Sequence, residues 1–428
     1  MSIRAIRGWS LYDAATSPFS TTTVGAVLPV YFHEVVMPAG GVTFLGATWS
    51  AESLWGLLTG TGPLVLLVVL PLLGALADRD RSKIRSLALA TFAGATASTA
   101  LVWSGPGDVW MTAGLFSTAT LAAGAAGIFY DGLLNDITDL DTVDRVSARG
   151  MAYGFVAGAI HLVASLVLIA VWDDPLATPV AVASTGVWWG GMAVVSLRSM
   201  RGIEEGGGNR AEFDSGSVIR NAWASLRRAQ QMPDLWKLIL AKTLYGNGVQ
   251  TTVVMTAVFA SETLRLDGTI VIVAFLVVQV VSGFSTRAAA RVSELIGIRS
   301  AMTLALIGWI GAAGAAYLVP SGEVIPFLGL AVGIGLVFGA IATLSRSLFA
   351  SMIPPGRSAE FFGYESLASR FGVIWGPLAF SAARQTTGSG RLAILTVVVF
   401  LVAGLVVFRR VDIEAGRAAA RPAPAHTG

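Results

Sequence analysis

Several ionisable side chains stand inside long apolar stretches of this sequence, and they are its candidate chemistry. They are Asp13, Glu52, Asp131, Lys242, Arg346, Glu365 and Arg370. A charge at the middle of a bilayer costs about 2.5–3.5 kcal/mol on insertion scales, so function is the default reading for such a residue. Arg370 cannot shed its charge, and its planar fork suits a carboxylate or a phosphate. It is read either as an anchor for the anionic group of a solute or as a permanent pair with Asp131 or Glu365. Glu365 and Arg370 are five apart, off the i,i+4 face, which argues against a direct pair between those two. Asn247 lies between Gly246 and Gly248, where the backbone can be approached closely, and is read as solute-facing. Asp13 and Asp131 have either a proton or cation role or a salt bridge to Arg7, Arg79 or Arg149 that latches a gate. Glu52 reads as a hydrated residue at an outer mouth. Arg346 reads as a structural partner for Glu360 or Glu365. His161 reads as a hydrogen-bonded core residue, with a proton relay as the alternative.

Covalent chemistry lacks its parts. No Ser/His/Asp arrangement or metal-spaced cluster stands out, and Gly206-Gly207-Gly208 has no following Lys-Ser/Thr to cradle a phosphate. There is no cysteine, so disulfides and thiolate metal sites are excluded. No enzyme, no cofactor and no metal are expected. The acidic residues leave proton coupling open.

The elements that position these residues are membrane helices. Of the 428 residues, 54% are hydrophobic and only 13% charged, against about 25% charged in soluble proteins. Mean hydropathy is +0.70. The apolar runs are long and do not alternate, so backbone groups must be paired within helices. Twelve spans are predicted, at about 9–32, 50–76, 87–103, 110–134, 150–172, 179–197, 235–260, 268–289, 300–319, 325–352, 361–384 and 392–408. Loops 37–48, 104–109, 173–178 and 320–324 contain no Lys or Arg, whereas the alternate loops hold nearly all the cations. By the positive-inside rule both termini are expected in the cytoplasm. Residues 1–198 should form one six-helix bundle and 235–409 a second. Residues 199–234 should form a cytoplasmic linker with an amphipathic helix, and 410–428, rich in Ala, Pro and Arg, a disordered tail.

Between spans two and three lies Gly74-Ala-Leu-Ala-Asp78-Arg79, continuing to Arg85 as a short basic turn. A paler copy at 283–299 suggests two similar halves. The first copy resembles the signature between helices 2 and 3 of the major facilitator superfamily, which implies a gating role for Gly74, Asp78 and Arg79. Asp13 and Arg149 are added to that gate.

Further blocks narrow the resemblance. Trp9-Ser-Leu-Tyr-Asp13 with Pro18-Phe19, Phe129-Tyr130, Ser147-x-Arg149-Gly150, Leu344-Ser-Arg-Ser-Leu-Phe-Ala350 and Gly376-Pro377 are similar to the vacuole-effluxer-like, autophagy-related branch. Its members are major facilitator transporters, and the eukaryotic ones are associated with amino-acid release from vacuoles. The polar lining departs from the family pattern: Ala14 and Thr16 follow Asp13, Asp131 stands where Asn is commoner, and Asn247 replaces an Asp.

The expectation is therefore an all-α integral membrane protein of twelve helices in two six-helix bundles, working as a secondary active transporter by alternating access. Arg370, Asn247, Asp131, Glu365 and Thr16 are the expected solute contacts. The solute is expected to be small and polar, an amino acid or related metabolite, exported across a bacterial cytoplasmic membrane. The alternatives are a hydrophobic-drug efflux pump and a non-transporting scaffold or sensor on the same fold. The expected partners are the solute and the bilayer, with no nucleic acid and a monomeric state.

Overall fold

The computed structural model describes residues 3–80, 83–137, 143–200, 232–353, 361, 365, 368–369 and 372–420, several of those between 67 and 148 by backbone alone. Helix occupies the described residues of all twelve predicted spans, apart from a residue or two at some ends and a turn at 373–374. Among the described residues, eight helices are long and apolar enough to cross a membrane.

The first span is a composite. Helix α1 (Ile3–Pro18) widens into a π-helical stretch at Phe19–Ala26, tightens as α2 (Val27–Tyr31), and widens again at Phe32–Val36. Pro18 and Pro29 lack an N–H to donate, and the i→i+5 pattern absorbs the break: Val27 N–H donates to Thr22 O. A two-residue turn of Leu45 and Gly46, both at positive φ (50° and 77°), then joins β1 (Val42–Phe44) to β2 (Ala47–Trp49). The register is Val42↔Trp49, Thr43↔Thr48 and Phe44↔Ala47.

The helices that follow are α3 (Ala51–Asp80), α4 (Lys83–Ala100), α5 (Val109–Ile137), α6 (Val143–Val171) and α7 (Ala177–Met200). The second half holds α8 (Pro233–Glu262), α9 (Gly268–Ile296), α10 (Ile298–Leu318), α11 (Val324–Ser351), α12 (Trp375–Thr387) and α13 (Gly390–Arg409), followed by α14 (Ile413–Ala420). Two expectations are corrected here. Of the basic turn predicted at 74–85, Gly74–Asp80 and Lys83–Arg85 are helical, and 81–82 lie outside the described residues. The tail, expected to be disordered, is helical at Ile413–Ala420, and 421–428 lie outside the described residues. Asp412 caps it, accepting from Glu414 and Ala415 N–H at 3.0 Å, and Gly416 seats on Met352.

Helix order produces a pseudo-symmetric interface. In the first half α1 packs on α6 and α7; in the second α8 packs on α13 and α12. Between halves α3 packs on α12 and α6 on α9. These are spans 2 with 11 and 5 with 8, the same pairing with the halves exchanged. Small residues let backbones touch, as membrane packing without a hydrophobic drive requires. Gly56 lies against Pro377 O, Gly248 against Leu401, and Gly404 against the Tyr245 backbone.

The connections gather at two ends. At one end Gly107 N–H donates to Val36 O (3.0 Å), Gly322 N–H to Leu264 O (2.7 Å) and Gln385 Nε2 to Thr48 O (2.8 Å). At the other, which carries the termini, Asp412 N–H donates to Asp234 Oδ1 (3.0 Å) and Arg417 Nε to Ser351 Oγ (3.1 Å). The cation-poor loops 37–48, 104–109 and 320–324 thus share the end away from the termini.

Candidate functional site

At the end away from the termini the halves are closed by ion pairs. Arg384 on α12 donates from Nε to Glu52 Oε2 (2.6 Å) and from Nη2 to Glu262 Oε1 (2.8 Å). Glu52, on the first turn of α3, is fully buried. Thr263 Oγ1 also donates to it, and its own backbone N–H donates to Glu262 Oε2 (2.6 Å). Gly390, at the start of α13, sits so close to the Glu52 carboxylate that a Cβ there would overlap it. The helix N-terminus adds its partial positive charge. Glu52 is therefore not the hydrated mouth residue that its sequence position suggests. Paired donors compensate its burial.

Beside this cluster, His33 Nδ1 lies 3.9 Å from Glu262 Oε2. His33 and Glu34 follow the first predicted span. Burial pulls the His33 imidazole below its ordinary value, against the Glu262 carboxylate that favours its charge. Burial first, then the Asp267 carboxylate, push Glu34 up to about 7, although the Gly268 N–H partly offsets them.

Below the ion pairs the seal continues. Ser381 Oγ donates to Ser53 O (2.6 Å), Trp55 Nε1 to Val254 O (2.9 Å), and Gly60 faces Leu378 and Ile374 O. Spans 2, 7 and 11 are locked together over about two turns.

Toward the terminal end the polar residues divide between the halves. In the first half Trp9 stacks on Tyr130 (4.3 Å between centroids, 8° between planes) and donates from Nε1 to Tyr130 O (2.9 Å). Tyr12 shares a hydrogen bond with Thr91 at 2.5 Å. Gly150 on α6 fits under this group: a Cβ would lie 2.8 Å from Asp13 Oδ2, 2.8 Å from Trp9 and 3.2 Å from Tyr130 Oη. Asp13, Trp9 and Tyr130 therefore form one polar-aromatic group, on the side where Asp131 is exposed. Thr16, half-buried one turn from Asp13, makes only long contacts to Tyr12 O and Asp13 O (3.4 Å each). Arg149 is exposed and donates to Tyr153 Oη at 3.1 and 3.2 Å.

In the second half Lys242 on α8 and Glu365 form an ion pair at 2.7 Å, with side chains 20% and 16% exposed. Ser369 Oγ donates to the same carboxylate (2.9 Å), and the ammonium sits 5.4 Å from the Phe349 ring centroid. The sequence reading gives Glu365 to Arg346, Arg370 or solute, and names Lys242 as an ionisable residue within a span without assigning it a partner. The signal was available: one of three lysines in the chain, inside an apolar span. Asn247, expected to face the solute, is buried, and its Oδ1 accepts from Gly376 N–H (2.9 Å) where α12 crosses α8. Its present role is to hold those helices together. His161 is a buried core residue bonded to Thr22, Ser165 and Ser184 (3.1, 3.3 and 3.1 Å).

Gly74, Asp78 and Arg79 lie in α3 with their side chains outside the described residues, and Arg370 is outside them altogether. A separate apolar cavity of about 310 Å³ opens between α3, α4 and α5, lined by Val65, Leu66, Leu89, Leu121 and Phe129.

Two helical halves, pairing span 2 with 11 and span 5 with 8 and sealed at one end, define a major facilitator fold. Solved structures agree. A bacterial homologue of the iron transporter ferroportin in an inward-facing state aligns with TM-score 0.65 at 14% identity, covering 96% of this chain and 99% of that one. An outward-facing structure of such a homologue aligns at 0.58 and 16% identity, covering 95% and 98%. The chain matches the vacuole effluxer Atg22-like family over residues 1–421 and belongs to it. It is 25% identical over 414 residues to the uncharacterized MFS-type transporter YxiO of Bacillus subtilis, covering 95% of this chain and 94% of the relative. It is 28% identical over 297 residues to autophagy-related protein 22 of Cryptococcus neoformans, covering 64% of this chain and 54% of that protein. The chain thus spans about half the length of the autophagy-related relatives it matches. It is a multi-pass membrane transporter of the major facilitator type.

Proposed function

We propose that the protein exports a small polar solute, an amino acid or related metabolite, across a bacterial cytoplasmic membrane by alternating access, with both termini in the cytoplasm. The observation that carries this reading is the Glu52–Arg384–Glu262 seal across the end away from the termini. The charged groups Asp13, Asp131, Lys242 and Glu365 lie toward the opposite end. In the proposed orientation this is an inward-facing form, and the higher TM-score to the inward-facing ferroportin homologue supports that. The cation-poor loops at the sealed end favour placing it outside.

Arg370 is proposed to hold the solute's anionic group, with Asp131 and Thr16 contacting the remainder. Asp78 and Arg79 are proposed to latch the cytoplasmic end when the protein faces outward. Solute flux in proteoliposomes tests the whole reading: no flux of any amino acid or small polar metabolite would favour the scaffold alternative. For the anchor, Arg370→Lys should weaken solute binding in a folded protein, and normal affinity in a folded Arg370→Ala variant would exclude it. The apolar cavity between α3, α4 and α5 favours a second reading, efflux of hydrophobic compounds. Flux of lipophilic cations abolished by Leu121→Trp, with amino acids untouched, would select it.

A further inference from the structure

The closed end holds more carboxylates than cations, and both halves contribute to it. Glu52 from α3 and Glu262 from α8 share the single guanidinium of Arg384 from α12. Glu52 is fully buried, and the Glu262 and Arg384 side chains are only 13% and 18% exposed. With His33 neutral this cluster carries one negative charge in excess. The start of α13 at Gly390 supplies only a partial positive charge.

The remaining groups nearby do not correct the imbalance. Glu34 of the first half lies against Gly268, next to Asp267, so closure also brings two more carboxylates together. Arg391 is turned away, donating to Tyr317 O and Ser321 Oγ (3.1 Å to the latter). Arg265 is exposed on the following turn. His33, 3.9 Å from Glu262, does not supply the compensating charge, because burial holds its imidazole below its ordinary value.

We infer that closure of the outer end takes up a proton, so that acid outside drives the transporter toward its inward-facing form. The inference rests on the proposed orientation and alternating access, but not on any solute. When the halves part, Glu52, Glu262 and His33 return to water. When they meet, two carboxylates must share one cation, and a proton on either carboxylate restores neutrality. A state that binds more protons is favoured as pH falls. Glu34 acts in the same direction: its carboxyl rises to about 7 on burial beside Asp267, although its exposure to water trims the effect. The sign follows. The closed state gains most below the open-state carboxylate range and loses that gain as pH rises through the closed-state values. A group that holds its proton about tenfold more tightly in the closed state changes the closed-to-open ratio by at most about tenfold.

The chain has no cysteine, so spin labels can be placed cleanly. Leu45→Cys on the hairpin tip and Glu323→Cys on the loop before α11 report the separation of the halves at the outer end by pulsed electron resonance. With full-length protein in lipid nanodiscs and no solute, the short-distance population should rise at least about threefold from pH 8 to pH 5.5. Glu262→Gln or Glu52→Gln should make the closed state dominant at both pH values. A wild-type distribution that does not change with pH overturns the inference, and that measurement needs no variant to fold. So does a pH response that survives undiminished in Glu262→Gln and Glu52→Gln alike, or one removed by Glu34→Gln alone. A pH-dependent distance change in a protein that shows no flux would uphold this device while rejecting the transport reading.

Discussion

Lys242 and Glu365 face each other at 2.7 Å across the contact between α8 and the stretch before α12. Neither has a second charged partner among the described residues, and each is mostly buried. Removing one partner leaves an uncompensated charge in a water-poor site. Glu365→Gln should lower the melting temperature and stop solute flux. The charge-swapped Lys242→Glu, Glu365→Lys pair should regain most of the stability. If the swap also regains flux, the pair is structural. If stability returns without flux, the pair contacts the transported species.

Gly376 tests the second-half packing. Its N–H donates to Asn247 Oδ1, and a methyl group there would overlap Thr251 Oγ1 and Asn247 Oδ1. Gly376→Ala should destabilise by about 1–3 kcal/mol through overpacking. Asn247→Ala should also cost about 1–3 kcal/mol, since it leaves the Gly376 N–H buried without its acceptor. Both are read by thermal unfolding in detergent. Should Asn247→Ala leave stability intact but abolish solute binding, the solute-facing role expected from the sequence returns.

The helices and their order were legible because apolar runs of about 20 residues and cation placement are strong local signals. The pairings were not. Glu52, Glu262 and Arg384 are far apart in sequence, and nothing local shows that three helix ends converge. Asn247 looked solute-facing because of its flanking glycines. Of the two, Gly248 serves packing, accommodating Leu401, whereas a Cβ at Gly246 would meet nothing. The hairpin at 42–49 reads from sequence as plain loop, since two three-residue strands carry almost no periodic signal. Composition predicts a disordered tail, but within its described part Gly416 docks on Met352 and Arg417 on Ser351, which holds Ile413–Ala420 as a helix.

Gly150→Ala addresses the first-half group. The added methyl would press on Asp13 Oδ2 and Trp9 at 2.8 Å each, where the neighbours sit on more than one helix. Relief requires Trp9 to slide from its stack on Tyr130. The variant should shift tryptophan emission to the red and reduce flux severalfold, with helix content by circular dichroism unchanged. Unaltered emission and flux would show that Asp13 moves freely and is not held by this group.

The C-terminal helix α14 is docked through a carboxylate at the start of α8. Asp234, just before the seventh predicted span, accepts from Asp412 N–H at 3.0 Å and from Lys237 Nζ at 2.9 Å. Partial burial would raise its carboxyl, but those two donors outweigh it and hold it below the ordinary carboxylate value. A depressed value means that the docked state favours the ionised form. That contribution is complete above about pH 4, the ordinary aspartate range, and is lost as pH falls through the lowered docked-state value. Asp234→Asn should therefore weaken docking at pH 7, since Asn offers no negative charge to Lys237 or the Asp412 amide. Hydrogen exchange of the segment 412–420 should rise severalfold in that variant, while α8 and α13 keep their protection. The same segment should loosen in wild type between pH 4 and pH 2.5, after correction for the intrinsic pH dependence of exchange. Exchange in Asp234→Asn indistinguishable from wild type would assign the docking to Gly416 against Met352 and Arg417 to Ser351 instead.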